Sequence, residues 1–227
     1  MASVASPYGL RPVKLIGSQY FAGAMREFSV ISNNTDPIFN GDLVALTTAG
    51  LPTVVSSSPT AIKIPSTSAD ATAGIVGVCV GVRYTTPSPM LQPMWSQFLP
   101  AGAITAGYSN VFVSVCDDPD ALFQIQGSAA FGTFNSGTAG SGWRGAIGKN
   151  AALGNFTGGN TSKTGSTITG NSVVNLVVGA NGGSLATTST LALRIVDVVP
   201  GTELDTYPEF IVKLNVGVHS YTNSLGI

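Results

Sequence analysis

The stretch "PEFIVKLNVGVHSY", Pro208 to Tyr221, decides the fold class. Its apolar residues recur at every second position: Phe210, Val212, Leu214, Val216 and Val218 fall on one face, and Lys213, Asn215 and His219 on the other. A period of two marks a β-strand with one buried face. On this reading His219 is a surface or interface residue near the end of the strand. Seven shorter runs share the character: "REFSVI" from Arg26, "GDLVALT" from Gly41, "TAIKIP" from Thr60, "NVFVSVCD" from Asn110, "ALFQIQ" from Ala121, "VVNLVV" from Val173 and "LALRIVDVV" from Leu191. Nearly all are flanked by Gly, Pro, Asn or Asp, the residues that end strands and make turns. The longest apolar run, "GIVGVCVGV" from Gly74 to Val82, is about half the roughly 20 residues a membrane helix needs and reads as a buried strand. No segment shows a capped apolar repeat at three and four residues, although short helical turns are expected near "SPMLQPMW". The expected fold is all-β, an antiparallel β-sandwich or β-barrel.

Two regions depart from the pattern. Residues 1–25 carry Pro7, Gly9, Pro12, Gly17 and Gly23, which predicts an extended N-terminal arm or a late-pairing strand, followed by a single β-rich domain over 26–227. Residues 127–171 are loaded with Gly, Ser, Thr and Asn, and read as a long loop insertion with a hairpin around "GWRGAIGKN".

Composition narrows the function classes. Only 9% of the 227 residues are charged, against about 25% in an ordinary soluble domain, so the surface is neutral and polar. Ten Lys and Arg against 11 Asp and Glu leave no positive excess to draw the chain onto nucleic acid or anionic lipid. A surface that repels its own kind so weakly suits a protein packed in an assembly. The first residues lack a basic segment followed by an apolar one, so synthesis in a cytoplasm is expected. In such a compartment Cys79 and Cys116 read as buried free thiols.

Motifs that promise chemistry lose it in context. "GSGWRG", Gly140 to Gly145, has dinucleotide-loop spacing, but no strand run leads into it, and no acid lies between Asp120 and Asp197 to hold a ribose. "GAIGKN" carries Asn150 where a phosphate loop needs a hydroxyl. A single histidine and two distant cysteines give no metal-ligand spacing, and no nucleophile elbow is present, so neither cofactor nor enzymatic activity is expected. "CDDPDALFQIQ" groups Asp117, Asp118 and Asp120 beside Cys116 but lacks the pattern of a calcium loop. It reads as a turn, with Pro119 fixing φ and aspartates capping backbone amides, ahead of a strand that buries Phe123.

Five blocks, "ASPYGLRPVKLIG", "IFNGDLV", "DDPDALFQIQ", "IGKNAAL" and "FIVKLNVGVHSYTNSLGI", occur in this order along most of the chain. Together they resemble a family of small virion structural proteins of tailed bacteriophages, notably cyanophages and other aquatic phages; the region from Gly127 to Asn171 is where the chain departs from it. The resemblance implies a capsid decoration or cement protein on the outer capsid surface, made in the bacterial cytoplasm, that clamps neighbouring major capsid proteins. Its implied partners are the major capsid protein and itself, as a homotrimer or else a dimer, with neither nucleic acid nor membrane. The candidate contacts are Tyr8, Leu10, Arg11 and Pro12 in the arm, with Trp143 and Arg144. An ordinary edge strand of the chain's own domain is the competing reading of that arm. Alternatives for the whole chain are a head fibre, a tail or adhesion module, or a carbohydrate-binding β domain stacking sugars on Trp95, Trp143 and tyrosines.

Overall fold

A computed structural model describes residues 4–17, 19–30, 32, 34–46, 52–54 (backbone only), 75–130, 142–154, 165–178, 184–189, 191–215, 219 and 221–222. In chain order the strands are β1 (Arg11–Leu15), β2 (Arg26–Ser29), β3 (Ile38–Phe39), β4 (Leu43–Leu46), β5 (Pro52–Val54), β6 (Ile75–Thr85), β7 (Pro93–Ser96), β8 (Phe98–Leu99), β9 (Ser109–Cys116), β10 (Ala121–Gln126), β11 (Asn150–Gly154), β12 (Asn175–Val177), β13 (Leu193–Val198) and β14 (Glu209–Leu214). A 3-10 turn at Trp143–Ala146 precedes β11, and there is no α-helix among the described residues. The fold is all-β, as the alternation predicts.

One sheet runs β1-β10-β14-β13-β11-β12 and the second runs β2-β9-β6-β4-β5, with β7 also paired to β6; every strand pairing is antiparallel. The main core lies between them. Phe123 and Ile125 of β10, Phe210 and Val212 of β14 and Ile195 of β13 meet Leu43 of β4, Ile75 and Val78 of β6 and Cys116 of β9. A second core lies on the other face of the second sheet. There Val44, Val76, Cys79, Val82, Val113 and Val115 pack under Ile38 and Leu99 of the β3–β8 ribbon and under Ala103. Each fully buried side chain of this size stabilises the fold by about 1.5–3 kcal/mol before chain entropy is counted.

β6 sits between both cores, which is why its sequence is apolar without alternation. Its register slips against β4 and again against β9, and between the irregularities its side chains feed alternately into the two cores. Gly77 is the tightest point. A Cβ there would stand 2.1 Å from the carbonyl oxygen of Cys116 on β9, closer than any side chain allows.

Several expectations are corrected. Of the two readings of residues 1–25, the structure has the strand pairing with the body and not the extended arm: Arg11–Leu15 pairs with β10 as the edge strand of the first sheet, and Leu10 is wholly buried in the main core. The path is opened by two glycines at positive φ. Gly9 at +77° and Gly41 at +93° cross so closely that a Cβ on Gly41 would lie 3.0 Å from the Gly9 Cα, and the Leu10 N–H donates to the Gly41 carbonyl at 3.0 Å. The 127–171 segment is not wholly loop, since it contains β11. "GWRGAIGKN" forms the 3-10 turn and enters β11 instead of making a hairpin, because Ala146 is buried and Trp143 packs against the main core. "SPMLQPMW" does hold a short helical-type turn, the Leu91 N–H donating to the Pro87 carbonyl at 3.4 Å, and then enters β7, where Pro93 opens an extended segment paired with the end of β6. β14 stops at Leu214: Asn215 is buried and its side-chain amide donates to the Ser189 and Leu191 carbonyls at 3.1 and 3.0 Å. Val216, Val218 and "TAIKIP" lie outside the described residues.

Gly77→Ala is expected to lower unfolding free energy by about 2 kcal/mol or more through forced separation of β6 and β9. Gly81→Ala on the same strand, whose Cβ would meet only the Ser96 carbonyl at 3.6 Å, should stay within about 0.5 kcal/mol of wild type in urea melts.

Candidate functional site

Two surfaces gather the chemistry-bearing residues: the end of the sandwich at the β9–β10 connection, and the outer end of β6 with β7. At the first, the aspartate turn forms as expected. Asp118 Oδ1 accepts the Asp120 N–H at 2.8 Å and the Asp118 carbonyl accepts the Ala121 N–H at 3.1 Å, so Pro119 sits in a tight reversal into β10. Two of the carboxylates also close seams. Asp117 Oδ2 accepts the Arg26 Nε–H of β2 at 3.1 Å and the Tyr221 hydroxyl at 2.9 Å; Asp120 Oδ1 accepts from Lys213 Nζ of β14 at 2.8 Å. Among the described residues no three His, Cys, Asp or Glu side chains are placed to hold a metal ion.

The thiols lie on adjacent strands but face different cores, Cys116 the main one and Cys79 the second. Burial pushes the Cys116 thiol up to about 12, and burial followed by the Asp42 carboxylate raises Cys79 further. Both therefore stay protonated and behave as small apolar groups.

His219 departs from its expected place on the surface. It is 1% exposed, held by a parallel bridge to Ile75 at the start of β6. Its Nδ1 accepts the Tyr221 N–H at 3.2 Å, which assigns the ring proton of the neutral form to Nε2. Nε2 is covered and, among the described residues, has no hydrogen-bond partner in good geometry. Burial lowers the imidazole pKa, with Asp117 opposing and Lys213 reinforcing that shift. Side-chain alternation missed this burial because β14 ends at Leu214, and His219 is placed by its bridge to Ile75 of β6 and not by the β14 pleat.

The sequence-derived contact residues occupy two places. Tyr8 and Pro12 are half-buried beside exposed Arg11, whose guanidinium lies 4.3 Å over the Tyr8 ring. Leu10 is corrected: at 0% exposure it cannot touch a partner. Trp143 is half-buried and carries the exposed Arg144 guanidinium 5.0 Å from its ring centroid. The 3-10 turn leads into β11, and three strands stand between β11 and β1, a separation of roughly 19 Å at ordinary strand spacing, so the structure does not join these residues in one patch.

The second surface was not foreseen as a unit. Arg83 on β6 is the register partner of Trp95 on β7 and Phe112 on β9, and its guanidinium lies 6.0 and 4.5 Å from their ring centroids. Glu27 of β2 fixes it through a 2.9 Å ion pair. Trp95 remains 66% exposed, and the connection before β7 holds out Met90 and Leu91 at 71% and 62% exposure, beside Met94. The signal was present in "SPMLQPMW": three large apolar residues and a tryptophan between prolines, with no charge among them.

Comparison of the chain with protein-family models, with curated proteins and with solved structures returns no match.

The turn and the histidine each yield a test. Phe123, fully buried, should cost about 3–5 kcal/mol on replacement by Ala, whereas Asp118→Asn, which keeps the Oδ1 acceptor, should change urea-melt stability by about 0.5 kcal/mol or less. Because the folded-state pKa of His219 lies below its ordinary 6.5, the unfolded chain binds more protons between the two values. Its stabilising contribution is complete above about pH 6.5 and is lost as pH falls toward the folded pKa. The wild-type urea midpoint should therefore drop between pH 7.5 and pH 5, and His219→Asn, which keeps an acceptor for Tyr221 without titrating, should flatten that slope.

Proposed function

We propose that this chain is a structural protein of a bacteriophage virion, a decoration or cement subunit that binds the outer capsid surface and bridges neighbouring major capsid proteins. The observation that carries the reading is the exposed Trp95–Arg83–Phe112 ladder with its apolar tip at Met90, Leu91 and Met94. Trp, Met and Arg are the residue types enriched at the centres of protein interfaces, and here the arginine is already held by Glu27 and two rings, so little side-chain entropy remains to be lost on docking. The neutral polar surface and the ordered series of virion-like sequence blocks support the same reading. Many copies, each with a modest interface, would strengthen a shell against internal pressure through multivalency. A homotrimer fits the local threefold positions of such a shell.

A carbohydrate-binding role is the second reading, favoured by one specific feature, the largely open ring of Trp95. The two separate cleanly. Quantitative mass spectrometry of purified particles should find this chain at a copy number comparable to that of the major capsid protein, and Trp95→Ala, if folded by circular dichroism, should lower occupancy tenfold or more, in keeping with about 2 kcal/mol for a central aromatic anchor. A few copies per particle, localisation to the tail, or glycan binding with unchanged capsid occupancy would overturn the proposal.

A further inference from the structure

Arg11 stands out among the described arginines. Arg26 pairs with Asp117, Arg83 with Glu27, and Arg194 donates to Asn150 Oδ1 at 3.0 Å. The Arg11 guanidinium lies on the Tyr8 ring at 4.3 Å and, among the described residues, has neither ion pair nor hydrogen bond. Stacking fixes its plane without using its donors, which leaves a pre-oriented fork for a carboxylate.

Its surroundings are concave. Two clefts of about 500 and 440 Å³ meet at Arg11 and Asn171, within the size range of ligand sites. Among the described residues no Asp or Glu lines either one and Arg11 is the one charged side chain in both walls, while the Glu209 carboxylate is near enough to Tyr8 to help raise its pKa. The larger cleft is lined by the amide-bearing residues Asn40, Gln97 and Asn171, and Pro12 and Val80 supply apolar wall. β1 is the terminal strand of its sheet, paired on one side with β10 and bridged at Lys14 to Tyr20, and its first two residues, Arg11 and Pro12, line the larger cleft.

From these features we propose that the double cleft binds an extended peptide segment of a partner protein, with an Asp or Glu carboxylate of that segment seated on Arg11. The guanidinium, without an acceptor among the described residues, gives charge complementarity, the three amides match the donors and acceptors of a peptide backbone, and the terminal strand favours an extended chain. A sugar acid is the less fitting occupant, because the Tyr8 face toward Arg11 is covered and Phe21 packs into the main core, leaving little open ring for stacking. The site is independent of the virion reading: it could exist with any acidic partner.

The test is a nuclear magnetic resonance titration of the full chain with the tripeptide Val-Glu-Val, acetylated and amidated at its ends. Parallel arms use Val-Gln-Val blocked in the same way, and glucuronate. Expected are saturable shifts of the Arg11 Nε–Hε signal and of the Asn171 and Gln97 side-chain amides, with the Gln peptide about tenfold or more weaker, as loss of a charge-assisted pair implies. Arg11→Gln should remove the difference between the two peptides, and Arg11→Lys, which keeps charge without the fork, should fall between. Because the Arg11 side chain is exposed, both variants should keep the remaining spectrum; if one does not, the comparison of the Glu and Gln peptides on wild type still decides. Equal binding of the two peptides, glucuronate binding tighter than the Glu peptide, shifts confined to other residues, or no saturable shift at millimolar peptide would each overturn the proposal.

Discussion

The burial of β6 on both faces is the constraint on which the rest of the structure depends. A strand inside one core can satisfy its neighbours by simple alternation, but this one divides the main core from the second core, and both sets of residues must leave the same backbone. The register irregularities beside Gly77 and Gly81 reconcile the two demands by shifting which side chains face which core. Close approach follows from the same geometry. β9 comes so near at Gly77 that only hydrogen fits, and the β3–β4 turn is tied to β6 by the Cys79 N–H donating to Asp42 and the Gly41 N–H donating to Cys79, each at 2.8 Å. That turn in turn receives Leu10, so the first strand of the chain is placed by the strand that splits the cores.

Scarcity of charge gives each ion pair a position that matters more than its energy. Exposed pairs of this kind contribute at most about 1 kcal/mol each. Yet Arg26–Asp117 joins β2 to the loop after β9, Lys213–Asp120 joins β14 to the turn before β10, and Arg83–Glu27 locks the ladder across the second sheet. They act as register marks on a surface with few other charges. Against that background Arg11, with no acceptor among the described residues, differs from Arg26, Arg83 and Arg194.

Legibility in the sequence followed the number of cores a residue touches. β14 and β10 face one core, and Phe210, Val212, Phe123 and Ile125 could be placed from alternation alone. β6 was readable as buried, though not as shared, because an apolar run carries no phase. The aspartate turn was readable because Pro119 and the Asx hydrogen bond from Asp120 to Asp118 are local chemistry. What could not be read was long-range: the passage of Leu10 under Gly41, the burial of Asn215 by carbonyls 24 and 26 residues away, and the seat of His219 against β6. Widely separated strand-bearing stretches share this geometry. β1, β10 and β14 are consecutive neighbours in the first sheet, and "IFNGDLV" supplies the turn that meets β1's approach, so stretches separated by up to two hundred residues are one packed unit.

The Trp95 ladder follows a different logic from that core. β7 pairs with the last residues of β6, and its outward side chains include Met94 and Trp95. An exposed apolar strand beside the apolar loop of Met90 and Leu91 is the kind of surface that folded proteins usually blunt with lysine or cover, since it invites unplanned association. Here the blunting is partial. Prolines at 87, 89 and 93 limit the backbone donors on offer, while the rings and thioethers stay bare. Removing the backbone's capacity to pair while keeping the side chains exposed favours association through side-chain packing over indiscriminate strand addition, and side-chain packing is the mode that can be made specific to one partner surface. Under the proposed docking role, the preset Arg83 would stiffen a patch where side-chain flexibility costs affinity.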